Sequence, residues 1–499
     1  MGVIIRQGIK QSIVNYSLAF VGLLSVLFVY PLDKEAYGLA RFLIDTAMLC
    51  TPLVLLGANL VSVKYFPVFQ ADDRKANGLL GIILLIATFG SALVLIGAFF
   101  SRYWINDWLI SKSGDFERFG WYCLPILILG SFIQIFTSYS SNFQRIVWPS
   151  LFQQLIKITL PIGLLMVYFM KWDTQFLVTV ILFTFVLNLI LVAMYIKSLK
   201  GFDCKINWGF LKPKLRSEML RFGMLSMLGS TGAMLALRLD SVLVPTLIDL
   251  KSNGIFGIAA VMVSFMMIPT TSLATIAAPI ISKALNDNDQ PKLKELYVKS
   301  SLNSLIPALL LAICIAGCVH EIFQIMPKGH EMIPAIPVLY FLIGARIFDV
   351  STGFNSEILG YSKHYATNLI LLLILAISNI ILCNYFITKL GMGILGAGVA
   401  TFISLVLYNL LKLFFIYKHF KMLPFESKSF YLIFYSSGVL LVLIFFPSLN
   451  LPVFFLAVLK CITATLLYVP FIYFTNISPE VTGVLNNLSG FLRNISPFK

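Results

Sequence analysis

Charge is scarce in this chain. Of its 499 residues only 12% are Asp, Glu, Lys or Arg, and four are histidine. His320, His330, His364 and His419 stand apart from one another without companion cysteines or paired acids, so their spacing assembles neither a zinc site nor an acid–base pair. Six of the seven cysteines, Cys50, Cys123, Cys314, Cys318, Cys383 and Cys461, lie inside apolar runs, where a thiol behaves as a small hydrophobe. No metal and no cofactor is expected. The sequence also lacks a P-loop, which excludes one common route to ATP-driven work.

What the chain has instead is apolar length: 59% of it is hydrophobic and the mean hydropathy is +0.91. A bilayer core of about 30 Å needs about 20 apolar residues in a helix. Fourteen such runs are legible: 9–30, 39–63, 78–100, 120–140, 149–170, 176–196, 219–246, 254–281, 300–319, 332–359, 366–387, 391–413, 430–446 and 452–474. They lack the strict alternation of an outer-membrane barrel, so the fold class is all-α, a polytopic membrane protein of about 14 transmembrane helices. The first run has no small-residue cleavage site and is read as a retained span.

Orientation follows from the loops. With the N-terminus inside, 24 of the 37 Lys and Arg fall in cytoplasmic segments, nine fall on the other side and four lie within spans. Both termini are therefore expected in the cytoplasm. The net charge of +15 is accounted for by this asymmetry and by affinity for anionic membrane lipids, and no nucleic-acid partner is implied. The loops expected on the far side are roughly twenty residues at most, short for an outward catalytic domain, so an integral glycosyltransferase or polymerase is the weaker, enzymatic alternative.

The four intramembrane cations are Lys157, Arg238, Arg346 and Lys460. A cation at the centre of a spanning helix costs roughly 2.5–3.5 kcal/mol on insertion scales, so such residues usually face a wet, functional interior. At 1.5 Å per residue Lys157, Arg238 and Lys460 lie about 12 Å from an end of their runs, and Arg346 lies near the middle of its own. A central cavity collecting them would attract an anion, for which Arg offers paired hydrogen bonds and Lys a point charge. Arg41 and Arg145 join this cationic set. Internal pairing is the competing reading: Asp45 is four residues from Arg41 and Asp349 three from Arg346, whereas Asp240, two from Arg238, points elsewhere. These three acids are the ion-pair or coupling candidates. Polar stripes support a wet interior, with Gln134, Ser138, Ser141 and Arg145 on one helical face and Ser264, Thr271, Thr275 and Ser282 on another. Pro52, Pro125, Pro161, Pro269, Pro307 and Pro337 are expected to kink their spans.

The most basic connection, Lys197 to Arg221, divides the chain into halves of six spans. At a shift of 219 residues Tyr37-Gly38-Leu39-Ala40 falls on Phe256-Gly257-Ile258-Ala259 and Lys64 on Lys283, the pattern of a duplication. The expected domains are 1–200 and 201–425, each a six-helix lobe, and 426–499, two further helices with an interfacial amphipathic tail.

The segment from Asp33-Lys34-Glu35-Ala36-Tyr37-Gly38 through Leu56-Gly57 to Lys64-Tyr65-Phe66-Pro67 resembles the opening of the polysaccharide-transport flippases. So do Leu220-Arg221-Phe222-Gly223, Arg238-Leu239-Asp240 and the second aromatic–glycine segment. The chain is similar to the Wzx-type O-antigen branch of the multidrug/oligosaccharidyl-lipid/polysaccharide exporter superfamily. That resemblance implies two six-helix lobes in a V plus a two-helix C-terminal extension, in the bacterial inner membrane. It also implies a non-enzymatic flippase that moves a polyprenyl-pyrophosphate-linked glycan by alternating access, with a polysaccharide polymerase as a candidate partner. Arg238 and Asp240 match the family's Arg-x-Asp. A lipid II flippase and a cation-coupled multidrug exporter are the alternatives within the superfamily.

Overall fold

The computed structural model describes residues 20–69, 78–110, 114–143, 147–199, 202, 204–447, 450–483 and 486. Among these the regular structure is entirely helical, as expected of backbone that must satisfy its own hydrogen bonds in hydrocarbon. After a short apolar helix, Phe20–Leu32, the α-helices run α1 Lys34–Leu55, α2 Ala58–Phe69, α3 Leu79–Phe100, α4 Arg102–Ile110, α5 Gly114–Phe119, α6 Cys123–Ser141 and α7 Val147–Gln153. They continue with α8 Ile156–Met170, α9 Thr174–Ser198, α10 Pro213–Arg238, α11 Asp240–Leu247, α12 Leu250–Ser264, α13 Ile268–Asn286 and α14 Gln290–Gly317. The remainder are α15 Val319–Ile325, α16 Ala335–Ser351, α17 Asn355–Tyr361, α18 Tyr365–Asn384, α19 Gly393–Phe420, α20 Ser427–Ile444 and α21 Val453–Thr475.

Eleven helical segments are long and apolar enough to cross a bilayer, and the bent pair α16 and α17 makes a twelfth. The chain is a multi-pass membrane protein. Two of the fourteen apolar runs fall outside this set. The first is described only from Phe20, and the seventh coincides with α10, which begins with charged residues and breaks at Leu239. The amphipathic tail expected beyond Val481 lies almost wholly outside the described residues, as does Arg145. Large apolar side chains face outward in numbers no water-soluble surface would carry, Phe434 and Phe474 at more than four-fifths exposure among them.

The chain divides into two compact units, Met1–Gly257 and Ile258–Lys499. In the first, Asp33 caps α1 by accepting from the Ala36 N–H at 3.0 Å, and the helix ends where Leu56 and Gly57 both take positive φ. Helix α1 packs on α3, α6, α10 and α11. An apolar core gathers Val61, Phe66, Phe69, Leu80, Ile83 and Tyr139 from α2, α3 and α6. Helices α1 and the start of α12 approach so closely that only glycine fits: a Cβ on Gly38 would lie 1.9 Å from the Leu250 carbonyl oxygen, and one on Gly254 2.0 Å from that of Lys34. The first aromatic–glycine segment is thus a packing device, of the small-residue kind that lets membrane helices touch backbone to backbone.

In the second unit α14 packs against α13, α16, α20 and α21, and α19 against α16 and α18. The span formed by α16 and α17 bends by 50° at Thr352-Gly353-Phe354, where Gly353 takes φ +61°. Hydroxyls of α14 satisfy backbone groups released there: Ser301 donates to the Ser351 carbonyl at 2.5 Å, and the Phe354 N–H donates to Ser300 Oγ at 3.2 Å. Tyr297 donates to Asn355 across the same break.

Of the six prolines expected to kink spans, Pro52, Pro161 and Pro307 lie within helices. Pro125, Pro269 and Pro337 instead fall in the first turns of α6, α13 and α16, where proline removes no helical hydrogen bond. Replacing Gly254 by Ala is expected to destabilise the protein by about 1–3 kcal/mol, the usual cost of overpacking. Gly97→Ala, with nothing within 4 Å of the added carbon, is expected to unfold with wild-type behaviour in the same thermal melt of the detergent-solubilised chain.

A cationic cavity in the first unit

Helix α8 is discontinuous with α7. Backbone bonds of three-residue spacing carry the chain through Gln154 and Leu155, from Gln154 N–H to the Leu151 carbonyl at 3.1 Å and from Lys157 N–H to the Gln154 carbonyl at 2.9 Å. Pro161, four residues beyond Lys157, offers no N–H to the Lys157 carbonyl, which loosens the same turn. Gln153 ties the break to α6 by donating to Thr137 Oγ1 at 2.9 Å. The result presents Lys157 to a cavity of about 610 Å³.

Four of the residues expected at the site meet there: Lys157 from α8, Arg238 from α10, and Gln134 and Ser138 from α6. Gln153, Gln154, Thr137, Thr184 and Asn188 complete its polar lining, with Ile44, Met48 and Met234 as apolar wall. Lys157 makes no ion pair and no side-chain hydrogen bond among the described residues. Among the described residues the buried Asn188 Oδ1 also lacks a hydrogen-bond partner. A free ammonium and an unsatisfied amide thus line the same cavity, and both need an occupant or water to satisfy them.

Arg238 is held differently. Its guanidinium pairs with Asp45 of α1, and not with nearby Asp240, which opens α11 beyond the break at Leu239. Asp45 also faces Arg41, with Nε to Oδ2 at 3.5 Å. Arg41 in turn donates through Nη1 to the Asn253 carbonyl at 3.1 Å and to Asn253 Oδ1 at 3.2 Å, while Asn253 donates to the Gly38 carbonyl at 2.8 Å. Ser141 lies beyond the cavity, its hydroxyl turned back to the Ser138 carbonyl at 2.6 Å.

The candidates in the second unit are engaged locally. Arg346 pairs with Asp349 at 3.5 Å, as its spacing suggested, and Asp349 also accepts from Asn409 Nδ2 at 2.9 Å. Asp349 and Thr271 line a separate cavity of about 460 Å³ with Thr270, Ser356 and Glu357. Thr271 donates to the Ile268 carbonyl at 3.0 Å, and the Thr275 side chain lies outside the described residues. Lys460 is not presented to either cavity: its ammonium is buried against Glu321 Oε1 at 2.6 Å and donates to the Gly317 carbonyl at 3.3 Å. Glu321, which the sequence reading did not single out, follows the ninth run on the short helix α15.

Sequence reasoning also missed Lys412, which lies at the end of the 391–413 run and was not counted among the four intramembrane cations. Helix α19 continues to Phe420, so Lys412 sits inside it, 2% exposed, donating to Ser356 Oγ at 2.6 Å with its ammonium 3.9 Å from the Tyr408 ring centroid. The signal was available in Asn409 and Lys412, one turn apart in an apolar sequence. Asn188, alone among apolar residues, and the pair Gln153-Gln154 were equally visible and passed over.

The fold matches solved transporters. Residues 78–323 match the family described as "Polysaccharide biosynthesis protein". The lipid II flippase MurJ in its inward closed conformation superposes with a TM-score of 0.69 at 20% identity, covering 94% of this chain and 100% of that one. The inward-facing conformation of a multidrug resistance MATE family transporter gives 0.63 at 12% identity over 81% of this chain and 94% of its own. The chain has the fold of the multidrug/oligosaccharidyl-lipid/polysaccharide exporter superfamily. A further superfamily member, a transporter from Pyrococcus furiosus described for the reversed polarity of its binding pocket, gives 0.53 at 14% identity, covering 84% and 95% of the two chains. No curated protein sequence matches this one. The resemblance read from the aromatic–glycine and Arg-x-Asp segments therefore agrees with the fold.

The buried Lys460–Glu321 pair is assigned a structural role. Lys460→Ala is expected to cost about 3–5 kcal/mol because it strands a buried carboxylate, whereas the double replacement Lys460→Met with Glu321→Leu is expected to recover most of that loss. Thermal unfolding of the three proteins in one detergent checks the pair.

Proposed function

We propose that this chain is a flippase of the bacterial inner membrane that translocates a polyprenyl-pyrophosphate-linked oligosaccharide, the repeat unit of an O-antigen or another surface polysaccharide, by alternating access. The observation that carries this reading is the ammonium of Lys157, unpaired among the described residues, in a roomy, amide- and hydroxyl-lined cavity that also contains Arg238. An ammonium and a guanidinium suit the negative charge and acceptor oxygens of a pyrophosphate. Gln134, Ser138, Gln153 and Asn188 offer the donors and acceptors that sugar hydroxyls need, and the lipid tail remains among the apolar helices. The match to a polysaccharide biosynthesis family supports the choice of cargo. In this reading the chain performs no bond chemistry and hands its cargo to a polymerase.

A lipid II flippase is the second reading, favoured by a fuller superposition on the lipid II flippase MurJ than on the multidrug transporter. The two cargos share the pyrophosphate, so the cavity cations serve either. Identifying which lipid-linked glycan accumulates on the cytoplasmic side in a depletion strain distinguishes them. Lys157→Ala and Arg238→Ala are each expected to reduce surface polysaccharide at least tenfold while the protein still reaches the membrane. Wild-type polysaccharide from both variants at matched expression would overturn the role given to the cavity.

A further inference from the structure

The two cavity cations are not equivalent. Lys157 is free of side-chain partners among the described residues, whereas Arg238 is occupied by Asp45. Asp45 itself stands between two guanidiniums, Oδ1 toward Arg238 and Oδ2 at 3.5 Å from Arg41 Nε. What holds each arginine differs. Arg41 is anchored without Asp45, by two acceptors of Asn253, and its side chain runs across Gly257, where an added Cβ would sit 2.8 Å from Arg41 Cδ. Arg238 has no other hydrogen-bond or ion-pair partner among the described residues. Its side chain is also the most accessible of the three, at 34% against 13% for Arg41 and 15% for Asp45.

We propose that Asp45 is an internal stand-in for the cargo anion, masking Arg238 while the cavity is empty and moving onto Arg41 when a phosphorylated headgroup enters. The proposal rests on the anion-binding reading above and adds a gate to it. The anion engages Lys157 first, since that cation needs no partner displaced. It then takes Arg238 from Asp45, whose released carboxylate is received by a guanidinium already fixed one helical turn away on α1. That second resting place is what makes the exchange cheap: a buried carboxylate stripped of its only cation would oppose it. A neutral headgroup offers Arg238 nothing in return and leaves the pair closed, so the pair also selects for charge. Asp45 is in this sense a positioning residue, acting on cargo only through Arg238.

The test is binding of inorganic pyrophosphate to the full detergent-solubilised chain, read by calorimetry. Wild type is expected to bind, and Lys157→Ala to bind at least tenfold more weakly. Asp45→Asn, which leaves Arg238 unmasked, is expected to bind roughly tenfold more tightly, as when a binding-competent state rises from a tenth of the population to nearly all of it. The gain is expected to vanish in Arg238→Ala, where nothing remains to unmask, and Asp45→Glu is expected to bind as wild type does. Arg41→Gln removes the second resting place and is expected to weaken binding several-fold although Arg41 does not line the cavity. A merely structural Asp45 would not give Asp45→Asn and Arg41→Gln effects of opposite sign. Lys157-dependent binding in wild type with no tightening in a folded Asp45→Asn overturns the gate and spares the anion-binding reading. If Asp45→Asn does not fold, wild-type affinity in Arg41→Gln overturns the gate by itself. Absence of any Lys157-dependent binding overturns both.

Discussion

Charge held inside hydrocarbon must be answered, and the helices of this protein are arranged around that demand. Among the described residues the intramembrane cations find three kinds of answer. Arg346 and Lys460 have carboxylates of their own, Asp349 and Glu321. Lys412 has a hydroxyl and an aromatic face. Lys157 alone of these has an open polar cavity and no side-chain partner. The first two answers are what a stable bundle requires, and the third suits the anionic cargo proposed for this cavity.

Much of the first unit's chemistry rests on a short stretch of packing. Gly38 and Gly254 bring α1 and α12 into backbone contact, and that contact puts Asn253 within reach of Arg41. Arg41 then steadies Asp45, and Asp45 reaches Arg238 on the cavity wall. A backbone contact thereby fixes the placement of a charged one. A larger residue at either glycine would disturb the cavity without touching it.

The sequence made the helices and the cations legible for a physical reason: a run of about 20 apolar residues has few alternatives to a spanning helix, and a cation within it stands out. The local pairs were legible too, because Arg41 with Asp45 and Arg346 with Asp349 lie within one turn. What sequence order hides is the partner brought by tertiary packing. Asp45 lies 193 positions before Arg238, and Glu321 lies 139 before Lys460, so neither pair could be read from spacing. Lys412 was hidden by a boundary, since an apolar run ends before its helix does. Gly353 and the α14 hydroxyls that bend the tenth span announced themselves only as ordinary small residues. The fold was legible despite these gaps, because the apolar runs that build it leave long, local traces.

In the proposed mechanism transport depends on negative charge in the headgroup meeting fixed positive charge in the cavity. The most direct measurement reconstitutes the protein in proteoliposomes and follows two lipids of the same polyprenyl tail and glycan, one joined through pyrophosphate and the other through a neutral linkage, by accessibility of the glycan to an external lectin. Translocation of the pyrophosphate-linked lipid alone is the predicted result. Equal translocation of the neutral lipid would contradict the account.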